Sequence, residues 1–147
     1  MKKVLAICLA AILVTTSVSA VPVTEKILKV FTSAFPEVHE TTWYNYETYY
    51  AVYFKNADDC KCRIEYDLSG NILSTTRYYS AELLPPFIRG KVSEKYSGKK
   101  IFGVTEVSSG DNLAYHIVLE DEKNWYNIKS DAIGYIDLEK KMEKAEK

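Results

Sequence analysis

None of the familiar catalytic signatures occurs in this chain of 147 residues. There is no GxSxG, no HExxH, no phosphate-cradling glycine loop and no EF-hand spacing. Imidazole is scarce: His39 and His116 are far apart in sequence and far from the cysteines. No block of lysine and arginine forms the stripe that phosphate-backbone binding requires, so nucleic acid is not an expected partner. Helical membrane spans need about 20 apolar residues. The longest such run here, "VLAICLAAILV", has eleven, so no stable membrane insertion is expected after processing. These absences point away from an enzyme and imply no cofactor or metal.

What is present begins with that apolar run. It follows a basic "MKK" and leads to "TTSVSA", whose small residues Val18 and Ala20 suit cleavage before Val21. Cys8 lies deep in the run, with no small residues leading to it as a lipid-modification site would have. Residues 1–20 are therefore read as a cleavable export signal cut after Ala20, with a periplasmic or secreted product. The remaining 127 residues suit one domain, or two small halves sharing a core. Without Lys2 and Lys3 the balance is 17 basic against 20 acidic residues, a formal charge of −3.

Two segments have helical periodicity. In "VTEKILKVFTSAF" (23–35), Thr24 can cap, Ile27, Leu28, Phe31, Ala34 and Phe35 share a face, and Pro36 terminates. In "SAELLPPFIRGKVSEKY", Ser80 can cap, and the prolines place the helix start at Pro85 or Pro86, because proline is tolerated only in the first turn. Ile88, Val92 and Tyr96 then form its apolar line, and Ser97-Gly98 ends it. Between and after these helices, β-branched and aromatic runs predict strands at 38–45, 49–55, 60–67 and 71–79, then at 100–108, 113–120, 124–130 and 133–138. The segment from Asp137, "DLEKKMEKAEK", reads as a frayed helix or a disordered charged end.

The pattern repeats. "CRIEYDLSGNIL" (62–73) returns as "YNIKSDAIGYID" (126–137), with Gly70 and Gly134 at the same place. Ile27 aligns with Ile88 and Phe35 with Tyr96. Ile64 aligns with Ile128 and Ile72 with Ile136. Such repetition predicts one supersecondary unit used twice, residues 21–79 and 80–138, followed by a charged tail at 139–147. A lone helix on four strands has a thin core; two units side by side have a workable one.

Several stretches together resemble the PepSY-like family of small secreted bacterial proteins, also labelled β-lactamase-inhibitor-like. They are "FPEV" followed by Trp43, "YAVYF", "YDLSGNIL", "LPPFI", Lys95-Tyr96 and "YHIVLE…YNIKSDAIGYI". The likeness covers residues 23–138 and rests on apolar, turn and glycine positions, with order and spacing supplying its specificity. It implies an α+β fold of two tandem units, each one helix followed by a four-stranded antiparallel sheet. These join into one curved sheet with helices on one face and the other face open. It also implies a non-catalytic, exported binding or inhibitory role.

Two groups of residues are candidate sites. Twelve tyrosines are present, five of them in "WYNYETYYAVYF" (43–54). Strand alternation would bury Tyr50, Val52 and Phe54 and leave Tyr44, Tyr46, Tyr49 and Tyr53 on the open face, with Lys61 and Arg63 as a polar rim. A slip of one residue would exchange the two sets. On this reading the partner is another envelope or secreted protein. A structural variant of the same idea is self-association through this face.

The second group is Cys60 and Cys62 in "CKC". Residues i and i+2 on a strand lie roughly 6.5 Å apart at ~3.3 Å per residue, while bridged cysteines need Cβ atoms about 3.5–4.5 Å apart. Buried structural thiols, a distorted or intermolecular disulfide, and a thiol-redox or metal-handling role are the alternatives. The carboxylates at Asp58-Asp59 and Glu120–Glu122 fall in predicted turns, where acidic residues are ordinary.

Overall fold

The computed structural model describes residues 22–145; the export signal and its cleavage point lie outside the described residues. The chain runs α1 (Glu25–Ala34), β1 (Thr41–Asn45), β2 (Tyr49–Lys55), β3 (Lys61–Asp67) and β4 (Ile72–Tyr79). A short 3₁₀ turn (Ala81–Leu83) leads to α2 (Pro86–Lys95), β5 (Lys100–Ser109), β6 (Asn112–Glu120), β7 (Asn124–Asp131) and β8 (Ile136–Glu143). The eight strands form one antiparallel meander in chain order.

Helix α1 starts where Thr24 is extended and its carbonyl accepts from the N–H groups of Ile27 and Leu28. Glu25 complements the positive end of the helix dipole. Ile27 and Phe31 are buried, but Leu28 is 38% exposed and Ala34 is exposed, so the inward stripe is narrower than periodicity predicts. Helix α2 has Pro86 in its first turn, and Leu84, held extended before Pro85, drops into the core. Ile88 and Val92 are buried and Tyr96 is half-buried.

Away from three register shifts, at Glu65/Tyr66, Ile101/Gly103 and Asn127/Ile128, one alternation runs across the sheet. Trp43, Val52, Ile64 and Thr75 pair across β1–β4, and Tyr79, Val104, Ile117 and Ile128 across β4–β7. Most side chains of this phase join one apolar cluster that also contains Ile27, Phe31, Ile88 and Val92, so both helices cover the same face. Phe31 meets Trp43 and Phe54 edge-on, at 5.4 and 5.1 Å between ring centres. The opposite phase, from Tyr53 through Arg63 and Tyr78 to Thr105, His116 and Lys129, carries no helix.

The two turns singled out in the sequence are built alike. The Asp67 carboxylate accepts from the N–H groups of Ser69 and Asn71, and the Gly70 N–H donates to the Asp67 carbonyl. The Asp131 carboxylate accepts from Ile133 and Tyr135, and the Gly134 N–H donates to the Asp131 carbonyl. Gly70 and Gly134 have φ of 90° and 82°, and each turn packs on the helix of its own half. The Asn71 amide, with the backbone donors, holds the Asp67 carboxyl below its ordinary value. Its contribution is thus present above the ordinary carboxylate pKa and fades as pH falls through the lowered one.

The C-terminus departs from expectation. Residues read as a charged tail, including the boundary at 138/139, continue as strand β8 to Glu143. Ile136 anchors the strand in the core, and β8 pairs with β7 from Ser130↔Ile136 to Asn124↔Glu143, with a register shift at Asn127/Ile128. Its charges belong to an edge strand. Lys141 lies 5.6 Å from the Tyr126 ring, Lys144 lies 4.5 Å from the Trp125 ring, and Lys144 bonds Glu120 at 2.7 Å. Each ammonium thus lies over an aromatic ring, a cation–π contact. At the other end β1 begins at Thr41, three residues later than predicted.

Alanine at either turn glycine is forced into the left-handed region, which costs roughly 1–2 kcal/mol. A Cβ on Gly70 meets atoms no nearer than 3.7 Å, whereas one on Gly134 falls 2.6 Å from the Lys91 side chain and 3.1 Å from Phe87. Urea unfolding is expected to show Gly134→Ala as the more destabilising of the two.

Candidate functional site

The uncovered face over β1–β3 carries the tyrosines. Alternation along β1 and β2 sends Trp43, Tyr50, Val52 and Phe54 toward the helices and Tyr44, Tyr49 and Tyr53 outward; Tyr46 follows in the connecting turn. Tyr46 and Tyr49 stack at 4.7 Å and 15°, Tyr44 and Tyr46 at 6.3 Å and 28°, and Tyr44 meets Tyr53 edge-on at 5.5 Å. Tyr44, Tyr46 and Tyr53 are 46, 43 and 37% exposed, while Tyr49 is half-buried. Ala51, placed between Tyr44 and Glu65 in the register, has no exposed surface. The tyrosines thus form a continuous layer.

The basic residues sit beside it. Arg63 lies across from Tyr53, its guanidinium carbon 5.6 Å from that ring's centre, and pairs with Glu65, which also accepts from Ser74 Oγ at 2.6 Å. Lys61 and Lys55 are opposite one another at the exposed end of β3 and β2. Partial desolvation, then the neighbouring Tyr53 and Tyr49, raise the Tyr46 phenol above its ordinary value. It therefore remains a hydrogen-bond donor at neutral pH. The layer offers flat aromatic surface, hydroxyls and a cationic border, a composition enriched where proteins meet.

The same face has a second aromatic group that sequence reading missed. A register shift between Ile101 and Gly103 leaves Phe102 unpaired and 62% exposed, 4.9 Å from Trp125 and edge-on to it. Trp125 occupies the outward phase of β7, whose inward phase is Tyr126, Ile128 and Ser130. That alternation was readable in "NWYNIKS"; the bulge that turns Phe102 outward was not.

Cys60 and Cys62 are not part of this surface. Both are free, buried thiols on the helix-covered side. The Cys62 Sγ is 3.5 Å from the Cys60 carbonyl oxygen, and the Cys60 N–H donates to Asn56. Burial pushes the Cys62 thiol above its ordinary pKa, Arg77 opposing. Among the described residues no three His, Cys, Asp or Glu side chains converge to hold an ion.

Beside the thiols lies a polar cluster also invisible from sequence. Glu106 accepts from Tyr79 Oη at 2.6 Å and from Arg77 Nη1 at 3.3 Å, and Arg77 lies 5.3 Å from the Tyr79 ring. Burial, reinforced by the bond to Glu106, pushes the Tyr79 phenol far above its ordinary value. Arg77 and Glu106 stand opposite each other on β4 and β5, so the cluster bridges the two halves. Next to it Phe35, Phe54, Ile64, Cys62, Thr75 and Arg77 line a pocket of about 370 Å³.

Three of the turn carboxylates have structural partners, Glu120 being bonded to Lys144. Asp121 accepts from the N–H groups of Lys123 and Asn124 and from Tyr126 Oη, and Asp59 pairs with Lys55 at 2.6 Å.

No family model matches the chain, and no curated protein does. Solved structures do. A BLIP-like protein from Bacteroides fragilis superposes with a TM-score of 0.63 at 17% identity, over 83% of this chain and 86% of that one. The fold is BLIP-like. A DUF2874 family protein from Bacteroides ovatus gives a TM-score of 0.62 at 15% identity, over 81% of this chain and 86% of that one. A protein named as a candidate periplasmic one, from Bacteroides eggerthii, gives 0.63 at 12%, over 83% and 89%. At these identities the likeness is one of fold alone. Among the described residues no helix is long and apolar enough to cross a membrane.

Two outcomes follow from the covered face. Native Cys60 and Cys62 should alkylate at least about tenfold more slowly than in denaturant, and the Cys62 rate should still climb with pH above the ordinary thiol range. Mass spectrometry of pulse-labelled protein reads both. Glu106→Ala strands a buried Tyr79 hydroxyl and uncouples Arg77, costing about 1–3 kcal/mol, whereas Glu106→Gln keeps an acceptor and costs less; denaturant unfolding measures the difference.

Proposed function

We propose that the protein is an exported, non-catalytic module that engages another envelope or secreted protein through the uncovered sheet face. The observation that carries this reading is the layer of Tyr44, Tyr46, Tyr49 and Tyr53, bordered by Lys61 and Arg63, lying on a face without helices. A contiguous aromatic patch of this kind on a soluble protein usually serves contact. Tyrosine gives wide contact area at low entropic cost, and Arg63 is already held in place by Glu65. Binding of this type works through shape and burial, with no bond made or broken. Fold relatives described as BLIP-like and as a candidate periplasmic protein fit such a module. The signal-like residues 1–20 support export, and the alignment of the two halves supports descent from one duplicated helix-plus-four-strand unit. A thiol-redox or metal role for Cys60 and Cys62 is disfavoured by their burial beneath the helices, away from the exposed surface.

Capture from envelope extract by wild-type protein, beside a Tyr49→Ala/Tyr53→Ala variant of unchanged melting temperature, tests the reading. Truncating two central aromatics should weaken capture by about 2 kcal/mol or more, some thirtyfold. Equal capture by the variant removes this surface from the binding role.

A further inference from the structure

The two edges of the sheet are unlike. β8 carries Asp137, Glu139, Lys140, Lys141 and Glu143 and has a register shift against its neighbour. Edges guarded in this way resist pairing with another strand. β1, Thr41-Thr42-Trp43-Tyr44-Asn45, carries no charge and no proline, and pairs with β2 without any shift. It is hydrogen-bonded on one side only among the described strands.

Its free groups can be assigned. The Tyr46 N–H donates to the Tyr49 carbonyl at 3.0 Å. Alternation of an antiparallel ladder then directs the backbone groups of Tyr44 and Thr42 toward β2 and those of Thr41, Trp43 and Asn45 outward. Trp43, in the middle of the strand, is half-buried, packed on Phe31 and stacked on Tyr66. The tyrosine layer also runs to the edge through Tyr44 and Tyr46.

We propose that β1 is an association edge for a second copy of this chain, pairing antiparallel about a two-fold axis at Trp43. Thr41 then faces Asn45 of the second copy, Trp43 faces Trp43, and about six backbone hydrogen bonds close the seam. The segment itself is uncharged, so two copies pair without charge repulsion. Glu40, just before the strand, falls opposite Tyr46 of the second copy and not opposite its own counterpart, and Glu47 lies beyond the ladder in the turn, at φ 63°, so like charges do not meet. The arrangement is isologous, as two-fold dimers require, and closed, because both outer edges are then the guarded β8 strands. It sets the two Trp43 residues side by side and joins two tyrosine layers on one continuous platform. It concerns the edge, and stands whether or not the face binds a foreign partner.

Sedimentation analysis from micromolar toward millimolar protein, with amide exchange at both extremes, tests it. The expected result is a concentration-dependent dimer in which the Thr41, Trp43 and Asn45 amides exchange at low concentration and are protected at high. Thr41→Pro deletes an outward N–H in both copies without touching a β1–β2 bond, and should raise the dissociation constant at least about tenfold. A wild-type chain that remains monomeric throughout overturns the proposal. So does a dimer whose three amides exchange as in the monomer, which would mean association through the aromatic face. Should Thr41→Pro fail to fold, the wild-type exchange pattern alone decides.

Discussion

Strands β4 and β5 are separated in the chain by helix α2, yet they lie side by side from Thr75↔Ser108 to Tyr79↔Val104. The rest of the molecule depends on that pairing. A single helix over four strands excludes little water, and hydrophobic stabilisation scales with the area removed from it. Joining the halves edge to edge makes one apolar cluster from both helices and all the inward phases of the sheet. The seam has a cost, because Arg77 and Glu106 face each other on its covered side. Their mutual bond and the Tyr79 hydroxyl offset the desolvation and set the alignment of the halves, since a slip would part the charges.

Placing every helix on one side leaves the other side of the sheet to its own side chains. Ala51 has no exposed surface although no helix lies over it, because long neighbours on the same face close above it. Tyrosines, Arg63 and Glu65 at one end, and Phe102, Trp125 and Lys144 at the other, hold one another by stacking, cation–π contact and ion pairing. The thiols at Cys60 and Cys62 occupy the opposite environment, where burial disfavours the thiolate.

Much of this was legible along the chain. Ile88, Val92 and Tyr96 as the inward line of α2, Pro86 at its start, and the alternation of Cys62, Ile64 and Tyr66 against Lys61, Arg63 and Glu65 all express local periods of 3.6 and 2. The turns at Gly70 and Gly134 follow from an aspartate three residues before a glycine that must take positive φ. Leu28 lies outside the buried stripe because helical spacing gives the direction of a stripe and leaves its width to whatever packs against it. Residues 139–143, expected in a charged tail, belong to β8, because charge density is the same in a solvated tail and in a guarded edge strand. Only the presence of β7, with Tyr126 and Trp125 beneath the lysine ammonium groups, distinguishes them.

By itself, then, the sequence determined the kind and order of the elements, both glycine turns and the two-phase character of each strand, since all are consequences of short-range sterics and solvent preference. Tertiary structure decided which strands became neighbours. That alone brought Arg77 to Glu106, turned Phe102 out beside Trp125, held the last strand in the sheet and left β1 at an edge. Pairings between residues far apart in the chain depend on the closure of long loops and on a shared core, and no local pattern encodes either.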